Sequence, residues 1–586
     1  MRRGICLAIT IPIALAIVLV ACAAPSAPTP PAGAAPTKPA ATTVPAGAPT
    51  LAAGPPKRGG TLNIALQNDW VTLDPLFNSA EPNGTNMIYG EWIRWSKDPK
   101  TGTWGPVPEM ISEWQLGEKE VIFKLQKGIK FQDGTPWDAA AAKWNFDRMI
   151  FDPASTMKAY FGTVDTSGED QAALNKLKET AAQTFDYSSK AVEIVDDYTV
   201  KLKLKAPLAP LLTVLSNAMQ WNNPISATAY KKLGKKDYGR NPVGAGPFKF
   251  VEWKSGDHVT LERNPDYWKM GADGKPLPYL DRLYYRLIID DSVRLLELKS
   301  GNVQFTELIQ GKDVAGVKSD PNLVYLESDS SGNNYRLIFD STNEGAPFQK
   351  YKELRQAVMY AIDREAMVKT LGFGAGIAKK YLLPKGLFTY DESQPYYWYD
   401  KPKAQSLVKD VVAKDKAITG PDGKVPVTLS VIDRQVDKIQ AQMIKEMADE
   451  VGFNVTLEIL ERAAWTAKLV KTPGQPGGRY DFATMRNPVV PNDPDDQWRT
   501  FYYSKGGFNV IHMSDATWDK LIDQGASTYD QAARKKIYDE IQKMDYDLAW
   551  FAYLWQQNWN WAFSKKLKNF QEVPTNRWIF TETWLE

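Results

Sequence analysis

The residues that usually carry out bond chemistry are scarce in this chain. It has two histidines, His258 and His512, and two cysteines, Cys6 and Cys22. A zinc site of His and Cys ligands needs three or four of them together, so the sequence does not supply one. No Gly-x-Ser-x-Gly elbow occurs, and a Ser-His-Asp arrangement would have to use one of the two histidines. Gly244-Ala245-Gly246 lacks a third glycine and a strand-to-helix setting, so it reads as a turn and not a nucleotide loop. Asp493, Asp495 and Asp496 gather carboxylates in Pro491-Asn492-Asp493-Pro494-Asp495-Asp496-Gln497-Trp498. A calcium loop also needs a central glycine and a distal Glu. Both are missing, and the run reads as a loop with two of its three aspartates solvated. Aromatic groups are plentiful instead: 20 Trp, 26 Tyr and 22 Phe. Flat aromatic faces with carboxamides between them suit non-covalent capture of a peptide or a sugar. A secreted hydrolase is the weaker reading.

The N-terminus sets where such capture takes place. Arg2 and Arg3 precede an uncharged apolar run, Ile5 to Val20, closed by Leu19-Val20-Ala21-Cys22. This is the grammar of a secretory signal, residues 1–22. Its last four residues look like a bacterial lipobox, with Cys22 lipidated as the mature N-terminus. Residues 23–56 are nearly all Ala, Pro, Thr and Gly. They bury too little apolar area to offset ordering, so they are expected to form a disordered tether. Loss of Cys6 with the signal and lipidation of Cys22 leave no cysteine pair for a disulfide. Removing Arg2 and Arg3 from the 71 basic residues leaves 69, equal to the 69 acidic ones. A neutral mature chain argues against a nucleic-acid partner. It also argues against membrane attachment by charge.

The elements that must position a site follow. About 530 residues remain, enough for two or three domains. Leu62, Ile64 and Leu66 alternate as in a half-buried strand. So do Val121, Phe123 and Leu125, ahead of the turn Asp133-Gly134-Thr135-Pro136 and a helix over 138–149. Val200, Leu202 and Leu204 alternate with lysines. Strands are expected at 248–253 and 259–263, and a helix over 292–299 ends at Gly301. Leu354, Val358, Ala361 and Ile362 share a helical face. The spacing predicts a strand at 427–431, a helix through Ile439, Met443, Met447 and Val451 to Gly452, and a strand at 455–459. That is a βαβ unit with a parallel sheet. Trp559, Trp561 and Phe563 alternate as a strand.

Five landmarks occur in order along these elements. They are Arg58-Gly59-Gly60-Thr61-Leu62; Thr72-Leu73-Asp74-Pro75; Leu125 through Pro136; Pro242 through Phe250 with Arg263-Asn264-Pro265-Asp266-Tyr267-Trp268; and Leu354 through Arg364. Together they make the chain resemble the family-5 extracellular solute-binding proteins, the dipeptide/oligopeptide-type receptors of ABC importers. The resemblance implies an α/β, two-lobed periplasmic-binding-protein-like clamshell that closes by hinge bending. Lobe one would span 57–305, with an extra subdomain at 101–229 and a C-terminal return at 545–586. Lobe two would span 306–544. The implied partners are a peptide or oligosaccharide ligand and the permease subunits, with the membrane reached through Cys22. The receptor would be a monomer without cofactor or metal. A signalling receptor would share the same clamshell. Family usage points to Trp70, Trp465, Trp498 and Trp555 as cleft walls; between them a ligand would be hydrogen-bonded by Asn68, Asn343, Asn492 or Gln556 and charge-paired by Asp493 or Arg486. Peptide-binding members place a Trp-x-x-Asp pattern near 486–498 to meet the ligand's ammonium. Here Val489 and Asn492 fall at those two positions, Asp493 stands beside them, and Arg486 matches a basic position just before.

Overall fold

The computed structural model describes residues 55–76, 85–98, 104–180, 183–216, 222–380, 382–470, 477–489, 492–506, 508–570 and 578–586. The signal, Cys22 and nearly all of the tether lie outside the described residues. Among the described residues no helix is long and apolar enough to cross a membrane.

Alternating patterns become strands where expected. β1 (Thr61–Leu66) buries Leu62 and Ile64 completely. β2 (Ile111–Leu116) and β3 (Glu120–Leu125) begin a small sheet. α1 (Ala139–Phe151) starts where the Asp138 carboxylate accepts the Ala141 amide at 2.9 Å, an N-cap that satisfies one orphan donor. β4 (Val192–Asp196) and β5 (Thr199–Lys203) complete the four-stranded order β2-β3-β5-β4. β6 (Phe248–Lys254), β7 (His258–Arg263) and β8 (Arg282–Leu287) form a meander. α2 (Asp291–Ser300) ends at Gly301, whose φ of 80° is the left-handed C-cap that glycine adopts without strain. β9 (Phe305–Glu307) follows.

The long strand β10 (Leu323–Phe339) then enters the second half of the molecule. There stand β11 (Ile377–Ala378), β12 (Val425–Ile432), α3 (Gln435–Asp449), β13 (Phe453–Leu460), α4 (Arg462–Leu469) and β14 (Phe482–Val489). α5 (Pro494–Tyr502), α6 (Ala516–Ala526) and α7 (Gln531–Leu548) pack beside them. β15 (Phe551–Ser564) returns to the first half. β12, α3 and β13 are the expected βαβ unit, with Val427 opposite Val455 in parallel register.

One sheet runs through the whole body in the order β13-β12-β14-β10-β15-β9-β1-β8-β7-β6, with β11 on β15. Its hydrophobic cores are separate. One gathers residues of β1, β3, β8 and β9 with Trp559, Trp561 and Phe563. Two others cover the opposite faces of β10, β14 and the first half of β15. This is the two-lobed arrangement expected. The lobes are joined by β10 and β15, which pair at Leu323–Glu327 with Ser564–Asn560. They pair again, after a register shift, at Gly332–Ile338 with Asn558–Phe551.

The small sheet's layer also touches lobe two. Ala209 N–H donates to Ala526 O at 2.8 Å. The Tyr529 hydroxyl donates to Gly117 O at 2.9 Å. The Tyr160 hydroxyl donates to the Asp496 carboxylate at 2.7 Å.

Candidate functional site

Ligands of open α/β sheets bind outside the carboxyl ends of the strands. In lobe one β1 lies parallel to β8 and β9. In lobe two β12 lies parallel to β13 and β14. β9 runs antiparallel to β15 and β14 antiparallel to β10. Because β15 leads back into lobe one and β10 leads out of it, both parallel sets end facing the hinge. The crevice between the lobes is therefore lined by carboxyl ends from both sides.

At the lobe-two rim, Gly332 stands in register with Val489 on one side and Asn558 on the other. A Cβ at Gly332 would come 2.3 Å from Gln557 O, so only glycine lets the strands approach this closely. Just below, one face of the sheet carries the row Asn487, Asn334, Gln556. The Gln556 side-chain N–H donates to Asn558 Oδ1 at 2.9 Å, and Asn558 donates to Glu327 at 2.9 Å. Asn487 donates to Gln497 Oε1 at 2.9 Å and accepts from Arg336. Asn334 is fully buried, yet among the described residues neither end of its carboxamide has a partner, and Gln556 Oε1 has none either. Buried polar groups are normally paired, and each bond left unmade costs about 1–3 kcal/mol. Asn334 Oδ1 and Nδ2 and Gln556 Oε1 are thus three unpaired polar atoms behind the rim among the described residues.

The other face carries the row Arg486, Tyr335, Trp555. Tyr335 and Trp555 stack at 4.5 Å with planes 4° apart. Trp555 Nε1–H donates to Gln440 on α3 at 2.8 Å. Arg434, the N-cap of α3, makes no side-chain cap bond and instead pairs with Asp437 at 2.7 Å. Burial raises the Asp437 pKa, with the Arg434 and Arg486 charges opposing it.

The structure separates the residues expected from sequence. Gln556 lies in the amide row, and Arg486 lies half-buried at the rim beside Tyr335 and Asp437. Asn68 is exposed just past the end of β1. The four tryptophans are core residues and not open walls, because each indole has found aromatic or aliphatic cover. Trp70 packs on Tyr285 at 5.4 Å and Trp253 at 6.4 Å. Trp465 and Trp498 sit in the α4–α6 core, Trp498 against Tyr502 and Trp518. Trp555 is buried in its stack with Tyr335. Asn343 donates to Tyr480 O and to Asp481, both at 3.0 Å, at the end of β14 remote from the hinge.

The acidic run is corrected as well. Asp493 and Asp495 are buried, not solvated. Asp493 caps α5 through the Asp495 amide at 2.9 Å and is held by both Arg534 nitrogens at 2.9 and 2.8 Å. Its charge is therefore already matched. Asp495 pairs with Arg499 at 2.8 Å. Asn492 is buried and donates to Asp496 at 3.2 Å. Among the described residues no group of three or more His, Cys, Asp or Glu is placed to hold a metal ion.

Sequence reasoning missed Asn334, Tyr335, Arg434 and Gln440. A signal for the first existed: Ser328-Asp329-Ser330-Ser331-Gly332-Asn333-Asn334 is an unbroken polar run that continues directly into an apolar strand.

Comparison with known proteins places this geometry. The probable D,D-dipeptide-binding periplasmic protein DdpA of Escherichia coli (strain K12) is 25% identical, over 89% of this chain and 93% of its own length. The oligopeptide-binding protein AppA of Bacillus subtilis (strain 168) is 26% identical, over 91% and 92%. The crystal structure of the ABC transporter substrate-binding protein CtaP from Listeria monocytogenes superposes with a TM-score of 0.72 at 22% identity, covering 90% of this chain and all of that one. The model for bacterial extracellular solute-binding proteins, family 5 Middle, matches residues 105–509. With most of its length matched and its two lobes facing each other across two hinge strands, the chain belongs to the family-5 bacterial extracellular solute-binding proteins.

Proposed function

We propose that this chain is the substrate-binding protein of an ABC importer. It captures a peptide in the interlobe crevice and presents it to a permease as the lobes close. The observation that carries the peptide reading is the row of Asn334 and Gln556, whose open valences match the N–H and C=O groups of a peptide main chain. The similarity to dipeptide- and oligopeptide-binding relatives supports it. An oligosaccharide reading has less support, since Trp70, Trp465, Trp498 and Trp555 are buried in cores instead of offering stacking faces. Residues 57–305 with 545–586 form lobe one in this reading, 101–229 its extra subdomain, and 306–544 lobe two. Cys22 carries the lipid, and 23–56 tether a monomeric receptor near its permease, which raises their mutual effective concentration.

The test is calorimetric titration of the mature chain with tripeptides and with cello-oligosaccharides. Tripeptide binding is expected, and Asn334→Ala should weaken it by about 10- to 100-fold, since it removes a buried bonding group. If tripeptides release no heat and native mass spectrometry of the purified protein finds no peptide, this reading falls.

Closure has its own signature. Tyr160→Phe removes the bond to Asp496 that links the small sheet's layer to α5. Stopped-flow fluorescence is expected to show ligand release about 3- to 10-fold faster, with association unchanged, because such a bond forms after encounter.

A further inference from the structure

β15 pairs with β10 along one edge on both sides of the hinge. Its other edge is covered by β9, at Phe563–Trp561, and by β11, at Gln556 and Trp555. Between those two levels the β10–β15 ladder is broken. Ser328–Ser331 bulge out against Trp559 alone, between the pairs Glu327–Asn560 and Gly332–Asn558. A bulge leaves residues unpaired and lets the strand bend. The two hinge strands are therefore pliable at this level, and whatever else bridges the two halves decides how far they bend.

Two segments meet there. Leu308–Gly311 comes from the β1 side, where Ile309 packs in a core with Ala65, Leu298 and Ala562. The turn Gly372–Gly376 comes from the other side, where Leu371 just before it packs on the core of Trp555. Asn560 holds the first segment in place. Its carbonyl accepts the Leu308 N–H at 2.8 Å, its Oδ1 accepts the Ile309 N–H at 2.7 Å, and its Nδ2 donates to Ile309 O at 3.3 Å. A Cβ on Gly311 would overlap Gly372 O and press on the Phe373 Cβ at 3.2 Å, so the two backbones touch. The φ of Gly311 lies outside the left-handed region, so only this contact excludes alanine.

Leu308 and Phe373, one on each side of the contact, have φ of 54° and 51°. L side chains avoid that region, and such strain persists only where the surroundings over-determine it. Phe373 is 62% exposed, so packing of its ring does not explain its conformation. Strained residues on both sides of a hinge contact show that the contact is kept for its position.

We propose that Gly311 is a positioning residue for solute capture. Its contact with Gly372 is a third bearing beside β10 and β15 that sets how closely the two halves approach, so that affinity is tuned from outside the crevice. The inference rests on the reading that the halves close on a solute.

The test is Gly311→Ala in the mature chain, with Gly316→Ala as its control, since a Cβ at Gly316 on the same helix meets open space. Gly311→Ala should melt within about 3 °C of wild type, because both cores keep their packing. Small-angle X-ray scattering should give it a larger radius of gyration than wild type, with and without Ala-Ala-Ala. Calorimetry should show Ala-Ala-Ala bound about tenfold or more weakly, since the closed fraction falls. Gly316→Ala should match wild type throughout. An unchanged radius of gyration in Gly311→Ala overturns the proposal, and so does a larger radius with unchanged affinity. A greater loss of melting temperature, or failure to fold, would make the contact part of a fixed core and overturn it too. If wild type binds no Ala-Ala-Ala, the peptide reading fails by itself, and the scattering comparison without peptide still decides the role of Gly311.

Discussion

Arg534→Met is expected to lower stability by about 3–5 kcal/mol, the usual cost of removing one partner of a buried ion pair. Arg534 and Asp493 have side chains only 7% and 8% exposed, and they meet through two parallel N–H···O bonds. Arg534 also donates to Gly525 O at 2.8 Å, which ties the end of α6 to α7. Without the guanidinium, the Asp493 carboxylate is buried beside Asp495 with only the α5 amide it caps to offset it. A urea midpoint measured by tryptophan fluorescence checks this. Asp493→Asn combined with Arg534→Met should recover a large part of the loss, because the stranded charge is gone. If the double variant is no more stable than the single one, the loss came from the bonds that Arg534 donates to Gly525 O and, at 3.4 Å, to the Tyr538 hydroxyl, and not from the charge.

Asp545 is expected to make stability fall as pH rises from about 4 to about 7. It is buried on α7 between the hydroxyls of Tyr502 at 3.0 Å and Tyr553 at 2.7 Å, and burial pushes its pKa up to about 7. The folded chain therefore holds a proton that the unfolded chain has released once pH exceeds its ordinary value near 3.8. Stability falls wherever the unfolded state binds fewer protons. The loss accumulates at about 1.4 kcal/mol per pH unit, to about 4 kcal/mol once pH passes 7. The groups facing it are Arg336 on β10, Tyr502 on α5 and Tyr553 on β15; the Arg336 charge and the two hydroxyl bonds all moderate the shift. Asp545→Asn should lose this part of the slope. Urea midpoints of both proteins at pH 5 and pH 8 measure it, and an unchanged slope in Asp545→Asn would place the titration elsewhere.

Much of the fold could be read from alternation. Leu62 with Ile64, Val121 with Phe123 and Val427 with Val455 announce their strands because one face of each is apolar. The site was harder to read for four physical reasons. An indole fits a core and a ligand wall equally well, so Trp498 and Trp555 carried no mark of which they were. A carboxylate's availability depends on its partner, and Arg534 lies far along the chain from Asp493. Asn334 looks like a loop residue, and only the pairing of β10 with both β14 and β15 makes it a buried one. Asn343 misled because an Asn near the end of a strand gives no indication of which end faces the hinge.

The return of β15 also governs the order of assembly. Phe563 pairs with Phe305, and Trp561 with Glu307, after the whole of lobe two has intervened in the chain. Trp559, Trp561 and Phe563 belong to the core of lobe one. The first lobe to be synthesised thus cannot complete its own sheet until the last long strand has been made. Closing such distant contacts is slow. During that delay one edge of β9 stands open, an unpaired row of backbone groups that only the end of the chain can cover.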